Sequence, residues 1–322
     1  ERPVFSYSYQ IVDNRKGNGD GRVQKGEELT MYLVVKNSGK GKSFDAQANV
    51  RNLSGDGLLL HEGRFNDVSN MAPGETRRVA FTFDVQPQLD GTEAKVELSI
   101  IDQDLRESVA EKVHIPLAPP SVSTPETGAM KAGAAGASLL EAPDPKARNF
   151  GRLTPGTATT VQAGFGDYVK VSLGNTRFGF CKRSELEQGG TVGQTVAFED
   201  AMAHAPPAIE LSVPTLATSD AKITIRGKAS DDARLLDAYV FGGSRKVFYR
   251  SNRNGADPKM MAFEADVPLR PGVNAITVVA RENPDTTSRR TFVVRKDGAN
   301  GELLPTPKLD DDLGESSSSS DD

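Results

Sequence analysis

One segment of the chain is dense in hard oxygen donors: Asp13-Asn14-Arg15-Lys16-Gly17-Asn18-Gly19-Asp20-Gly21-Arg22-Val23-Gln24-Lys25-Gly26-Glu27. Calcium takes six to eight such oxygens from a loop that folds around it. Asn18, Asp20, Gly21, Arg22 and Glu27 match the third, fifth, sixth, seventh and twelfth positions of such a loop. The seventh position needs only a backbone carbonyl, which Arg22 can supply. The first position falls on Lys16, which cannot serve, so Asp13 is expected to curl in and replace it. The glycines at 17, 19 and 21 permit the positive φ that such a curl requires. The expected ligand set is therefore Asp13, Asn18, Asp20, Arg22 (through its carbonyl) and Glu27 around one Ca²⁺. The competing reading is a polar, Gly-rich hairpin loop without an ion.

Other chemistry finds little support. A nucleophilic serine needs a base at hydrogen-bond distance, and the chain has no G-x-S-x-G segment. His61, His114 and His204 stand far apart, in a polar run, a strand and a connecting segment respectively. The single Cys181 follows Phe178-Gly179-Phe180 and is read as a half-buried structural thiol. It rules out an internal disulfide framework and a cysteine zinc site. No Gly-rich phosphate loop opens a helix. Lys246-Val247-Phe248-Tyr249-Arg250-Ser251-Asn252-Arg253-Asn254 mixes aromatic and basic residues, and reads as a strand leaving into a solvated loop or as a binding surface. The chain is thus expected to carry no catalytic residue.

These residues must be positioned by β-structure. Period-two segments recur at Val4–Ile11, Leu29–Asn37, Ala46–Asn52, Val79–Val85, Ala94–Ile100 and Glu111–Leu117, separated by Gly, Asn, Asp and Pro. This pattern predicts an antiparallel sandwich over 1–118. Residues 119–138 are Pro, Ser, Thr, Gly and Ala and read as a flexible linker. Short strand cues at tight spacing predict a small barrel over 139–186. A second linker follows at 187–205, with a short helical piece near 198–202. Seven strand cues in 206–296 predict an immunoglobulin-like sandwich. Residues 297–322 form an acidic, Ser-rich tail, disordered by composition. The fold class is all-β.

Charge sharpens the picture. Of the net charge of −5, six acids lie after Lys308, so the preceding 308 residues carry 39 bases and 38 acids. A neutral body without a basic stripe argues against nucleic-acid binding. No apolar run approaches the roughly 20 residues of a membrane-spanning helix. The chain starts at Glu1 without Met or a signal peptide, and is expected to be a processed protein or a fragment.

Phe5–Gln10, Gly17-Asn18-Gly19-Asp20-Gly21, Gly26-Glu27, Val35–Gly39 and Ala72-Pro73-Gly74-Glu75 resemble the region after the catalytic domain of myxobacterial-type tail-specific (C-terminal processing) serine proteases. The likeness covers about 1–118. The middle segment resembles a bacterial SH3-type barrel, with Tyr168 and Phe180 at its aromatic positions, and the third resembles immunoglobulin-like modules of bacterial surface proteins. That protease family implies a Ser–Lys dyad behind a PDZ domain, and this chain holds neither. The resemblance implies a non-catalytic accessory region, periplasmic or extracellular, that binds proteins or presents substrate. The alternative is a free-standing envelope or adhesion module that binds cell-wall glycan.

Overall fold

The computed structural model describes residues 1–13, 16–201 and 205–307. They are almost entirely β, with no α-helix among them. The chain divides into two compact units: Glu1–Pro206 with Pro284–Thr287, and Pro207–Asn283 with Ser288–Asp322.

The first unit opens with an antiparallel sandwich built from β1 (Phe5–Val12), β2 (Glu28–Asn37), β3 (Ala46–Asn52), β4 (Leu58–Leu60), β5 (Arg64–Phe65), β6 (Thr76–Val85), β7 (Glu93–Asp102) and β8 (Glu107–Pro116). One sheet runs β1-β2-β6-β4; in the other, β7 lies between β3 and β8, and β5 flanks β3. Alternation sends Tyr7, Leu29, Met31, Leu33, Phe81, Phe83, Leu98 and Ile100 into one core. In β1 the opposite face is also buried, including Ser6, Ser8 and Gln10. The reason at its C-terminal end is a second layer. Val12 packs with Leu140, Phe165, Tyr168, Phe178 and Phe180, and Gln10 donates from Nε2 to the Phe178 carbonyl at 2.6 Å.

That layer is the middle module: β9 (Gly128–Ala132), β10 (Ala137–Leu140), β11 (Asn149–Leu153), β12 (Ala158–Phe165), β13 (Tyr168–Gly174), β14 (Arg177–Lys182), β15 (Leu186–Gln188) and β16 (Phe198–Asp200). Its sheet order is β15-β9-β12-β13-β14-β10-β11-β16. Two expectations are corrected here. Residues 128–138 of the expected linker lie in β9, its turn and the start of β10. Their small side chains serve close packing, not looseness: Ala132 and Ala137 are buried, and a Cβ on Gly136 would meet the Leu153 carbonyl oxygen at 2.5 Å. The expected helical piece is instead β16, paired with β11 because Phe198 packs onto the core of the module. Met202, its last residue, and His204 lie outside the described residues.

The second unit contains β17 (Ala208–Ser212), β18 (Ala217–Thr218), β19 (Lys222–Ser230), β20 (Asp237–Gly242), β21 (Arg245–Ser251), β22 (Met260–Pro268), β23 (Gly272–Arg281) and most of β24 (Thr286–Lys296). One sheet is β17-β19-β22; in the other, β21-β20-β23-β24 are neighbours and β18 pairs with β24 in parallel. Ile223, Ile225, Val240, Phe263, Val267, Ile276 and Val278 fill the space between them. The first part of the expected tail is tied down: the Asp297 N–H donates to the Thr218 carbonyl at 2.9 Å and Thr306 Oγ1 accepts from the Val273 N–H at 2.9 Å. Residues 308–322 of that tail lie outside the described residues.

Candidate metal centre

The loop from Asp13 to Glu27 joins β1 to β2. A connection of this length inside a compact fold needs internal organisation, and carboxylates provide it. Asp13 Oδ2 accepts the N–H groups of Gly19 (2.7 Å) and Asp20 (3.1 Å). Asn18 Oδ1 accepts the Asp20 N–H and Asp20 Oδ1 the Arg22 N–H, both at 2.8 Å. Glu27 closes the loop, taking the Gln24 N–H at 2.7 Å and the Asn18 N–H at 3.3 Å. Gly17 has no room for a side chain, since a Cβ there would lie 2.5 Å from Asp13. Asp13 therefore curls back over the loop, held by the Gly19 and Asp20 N–H groups.

Asp13, Asp20 and Glu27 are all buried. Among the described residues, Asp13 Oδ1 has no hydrogen-bond partner. Burial first, then the charges of Glu27 and Asp20, push the Asp13 carboxyl up to about 6 against its backbone hydrogen bonds. Burial also raises Glu27. Three buried carboxylates on one loop, with an oxygen unused among the described residues, suit a hard cation. Asn18 is exposed, its Nδ2 donating to Gln24 Oε1 at 2.8 Å. Arg22 enters the loop through its N–H, while its guanidinium reaches Asp144 at 3.9 Å. The carbonyl role of Arg22 stays an expectation.

The loop leans on the middle module, a contact that the expected linker at 119–138 hid from sequence reasoning. The Ser121 N–H donates to Asp20 Oδ2 at 2.5 Å. Lys170 Nζ donates to the Gly19 carbonyl at 2.7 Å and sits 3.8 Å from the Phe178 ring centroid. Burial lowers the Lys170 ammonium, while the charges of Asp13 and Asp20 oppose that shift. Glu141 Oε1 accepts the Ile11 N–H at 2.9 Å. Gly21, at φ +76°, lies so close to the module that a Cβ would meet the Glu141 carbonyl oxygen and Phe180 Cε2, each at 2.4 Å. Tyr168 and Phe180, the expected aromatic positions of the barrel, are both buried in the cluster that contains Val12.

The remaining reactive groups are placed as follows. Burial pushes the Cys181 thiol up to about 12, which leaves it protonated and inert near neutrality. The His114 ring faces Glu93 at 3.2 Å. His61 Nε2 lies 3.0 Å from Asp84 Oδ2. Glu28 and Asp84 are cross-strand partners, and with His61 they offer three ligand atoms within 4.8 Å of one another. The Lys16 ammonium, 3.0 Å from Glu28, supplies countercharge there. Among the described residues, the loop carboxylates Asp13, Asp20 and Glu27 do not form a second set that tight.

Comparison with protein-family profiles finds no match, and no curated protein sequence matches the chain. Among solved structures, the chain is similar to the secreted serine protease VesC from Vibrio cholerae, at 11% identity and a TM-score of 0.23, covering 85% of this chain and 49% of that one. It is also similar to dimeric latent PorU from Porphyromonas gingivalis, at 12% identity and a TM-score of 0.22, covering 90% and 34%. The chain thus spans half or less of the length of either. Likeness this remote carries no argument about function, and it lends no support to the resemblance to tail-specific proteases.

Proposed function

We propose that the chain is a non-catalytic interaction region whose first unit is locked by one calcium ion in the loop 13–27. The observation that carries this reading is the unpartnered Asp13 Oδ1, buried beside Asp20 and Glu27. Asp13, Asn18, Asp20 and Glu27, with the Arg22 carbonyl, would hold the ion. Bound calcium supplies positive charge that relieves the repulsion among the three carboxylates. The chain's own groups do the rest: Asp13 gathers the loop backbone, and Asp20 links it to Ser121 in the segment that leads into the middle module. An affinity of about 10⁻⁴–10⁻³ M, the range of extracellular modules, suits an exported protein in the periplasm or outside the cell.

Within that reading, the chain acts as an accessory region of an exported tail-specific protease, binding proteins or presenting substrate. This rests on the quoted sequence resemblance. Two experiments test it. Flow dialysis of the full chain with radiocalcium should find one ion per chain, absent in Asp13→Asn. The coding sequence upstream should continue into PDZ and protease domains. A secretion signal directly upstream would instead favour a free-standing envelope module.

A further inference from the structure

The outer face of the β21-β20-β23-β24 sheet in the second unit carries an aromatic row. Tyr239 pairs with Tyr249 across β20 and β21, and Phe241 with Lys246. Directly opposed residues share a face, as do residues two apart on one strand. The ring centroids of Tyr249 and Tyr239 are 5.0 Å apart, and those of Tyr239 and Phe241 6.2 Å apart. The opposite face, with Ala238 and Val240, is the core. Tyr249 is 51% exposed, and Tyr239 and Phe241 are half-buried. An alternating strand interior explains Ala238 and Val240, but not three rings on its solvent side.

The row is held in place. Arg281 forks onto Asp237 at 2.8 and 2.6 Å and donates to the Tyr239 hydroxyl at 2.5 Å, with its guanidinium 5.0 Å from the Tyr239 ring centroid. Beyond the rings the face turns polar: Thr277, opposite Phe241 on β23, shares a hydrogen bond with Thr291 of β24 at 3.0 Å. Arg289, two residues before Thr291, lies on the same face and is exposed. Lys246 Nζ stands 5.4 and 5.7 Å from the Tyr239 and Tyr249 centroids. Neither Lys246 nor Arg289 has a carboxylate partner among the described residues. Asp237, beside Tyr239 on β20, is already neutralised by Arg281.

We infer that this face binds a linear anionic polysaccharide, with sugar rings stacking on Tyr249, Tyr239 and Phe241 and acid groups meeting Lys246 and Arg289. The chemistry matches part by part. A pyranose offers an apolar C–H face to an aromatic ring and a rim of hydroxyls to Thr277, Thr291 and the tyrosine hydroxyls. Its carboxylates complement two cations that the fold leaves free. Lys246 lies against the rings without an ion partner, so it can swing toward a ligand at little cost. A protein partner fits less well, because one exposed ring and two half-buried ones do not make a large apolar patch. Single-stranded nucleic acid would need a groove of cations tracking every phosphate, where this face offers Lys246 and Arg289 as its cations without a carboxylate partner among the described residues.

This inference deepens the interaction reading but does not depend on calcium. The test is native affinity electrophoresis of the full chain through gels containing polygalacturonate, run in chelator. Polygalacturonate should retard the chain. Tyr249→Ala and Lys246→Glu should each weaken the apparent affinity at least tenfold while leaving the melting temperature unchanged. Hydroxyethylcellulose, a neutral polymer, should retard it at least tenfold less. The inference is overturned by absent retardation, by equal retardation in poly-L-glutamate that survives Tyr249→Ala, or by stronger retardation with oligothymidylate. Because calcium is chelated throughout, such a failure leaves the calcium reading standing.

Discussion

Replacing Gly21 by alanine probes the seam between the calcium loop and the middle module. Gly21 has φ +76°, and alanine in that left-handed region costs about 1–2 kcal/mol. Its methyl group would also lie 2.4 Å from the Glu141 carbonyl oxygen and from Phe180 Cε2. Neither neighbour yields easily: one is backbone, and the other is a ring that is 0% exposed. Overpacking of this kind costs about 1–3 kcal/mol, so Gly21→Ala should destabilise the first unit by about 2–5 kcal/mol. Gly74 provides the control, with φ +81° and nothing within 4 Å of the added carbon. Gly74→Ala should cost only the strain, about 1–2 kcal/mol. Both are read by differential scanning calorimetry of the full chain, where a unit of about 200 residues loses about 2–4 °C per kcal/mol. Equal losses for the two variants would show that the loop is not wedged against the module.

Three further outcomes follow from the same geometry. In chelator, folded Asp13 keeps its proton up to about pH 6, against about 4 when unfolded. The stability this contributes is full below about pH 4 and lost as pH rises through 6, by at most about 3 kcal/mol. Urea titrations from pH 4 to 7 should show that decline, and Asp13→Asn should flatten it. Cys181, buried and held protonated, should react with an aromatic disulfide reagent at least a hundredfold more slowly in the native chain than in guanidinium; comparable rates would contradict its burial. Limited proteolysis within the described residues of the first unit should cut at 189–195, where every residue is exposed and no strand runs. It should spare 128–140, which are largely strand, and early cleavage there would restore the linker reading.

Much of the sandwich was legible because alternation is local. Ala46–Asn52 is a strand over its full predicted span, and the other runs shift by a few residues at their ends. The loop was legible for a similar reason, since Asp13, Asn18, Asp20 and Glu27 lie within fifteen residues. What local pattern could not convey was packing between distant segments. Gly133–Gly136 reads as slack by composition, yet it closes as a tight turn between β9 and β10, the Gly136 N–H donating to the Gly133 carbonyl at 2.9 Å. Ser121 and Lys170 carry no motif, and only the fold brings them 101 and 151 residues along the chain to the loop. The buried polar face of β1 was likewise unreadable, because Gln10 finds its partners, Phe178 and Arg177, on β14. The Tyr239–Tyr249 row depends on a cross-strand register that no single strand encodes.

The calcium claim is tested most directly by scanning calorimetry of the full chain, following the first unit's transition with chelator and then with calcium at ten times its Kd. The ion should add about 1.4 kcal/mol, raising that transition by about 3–6 °C. Asp13→Asn should abolish the rise while the second unit's transition stays fixed. If millimolar calcium leaves the wild-type transition unmoved, the loop 13–27 is a carboxylate-braced hairpin without an ion, and the calcium reading is wrong.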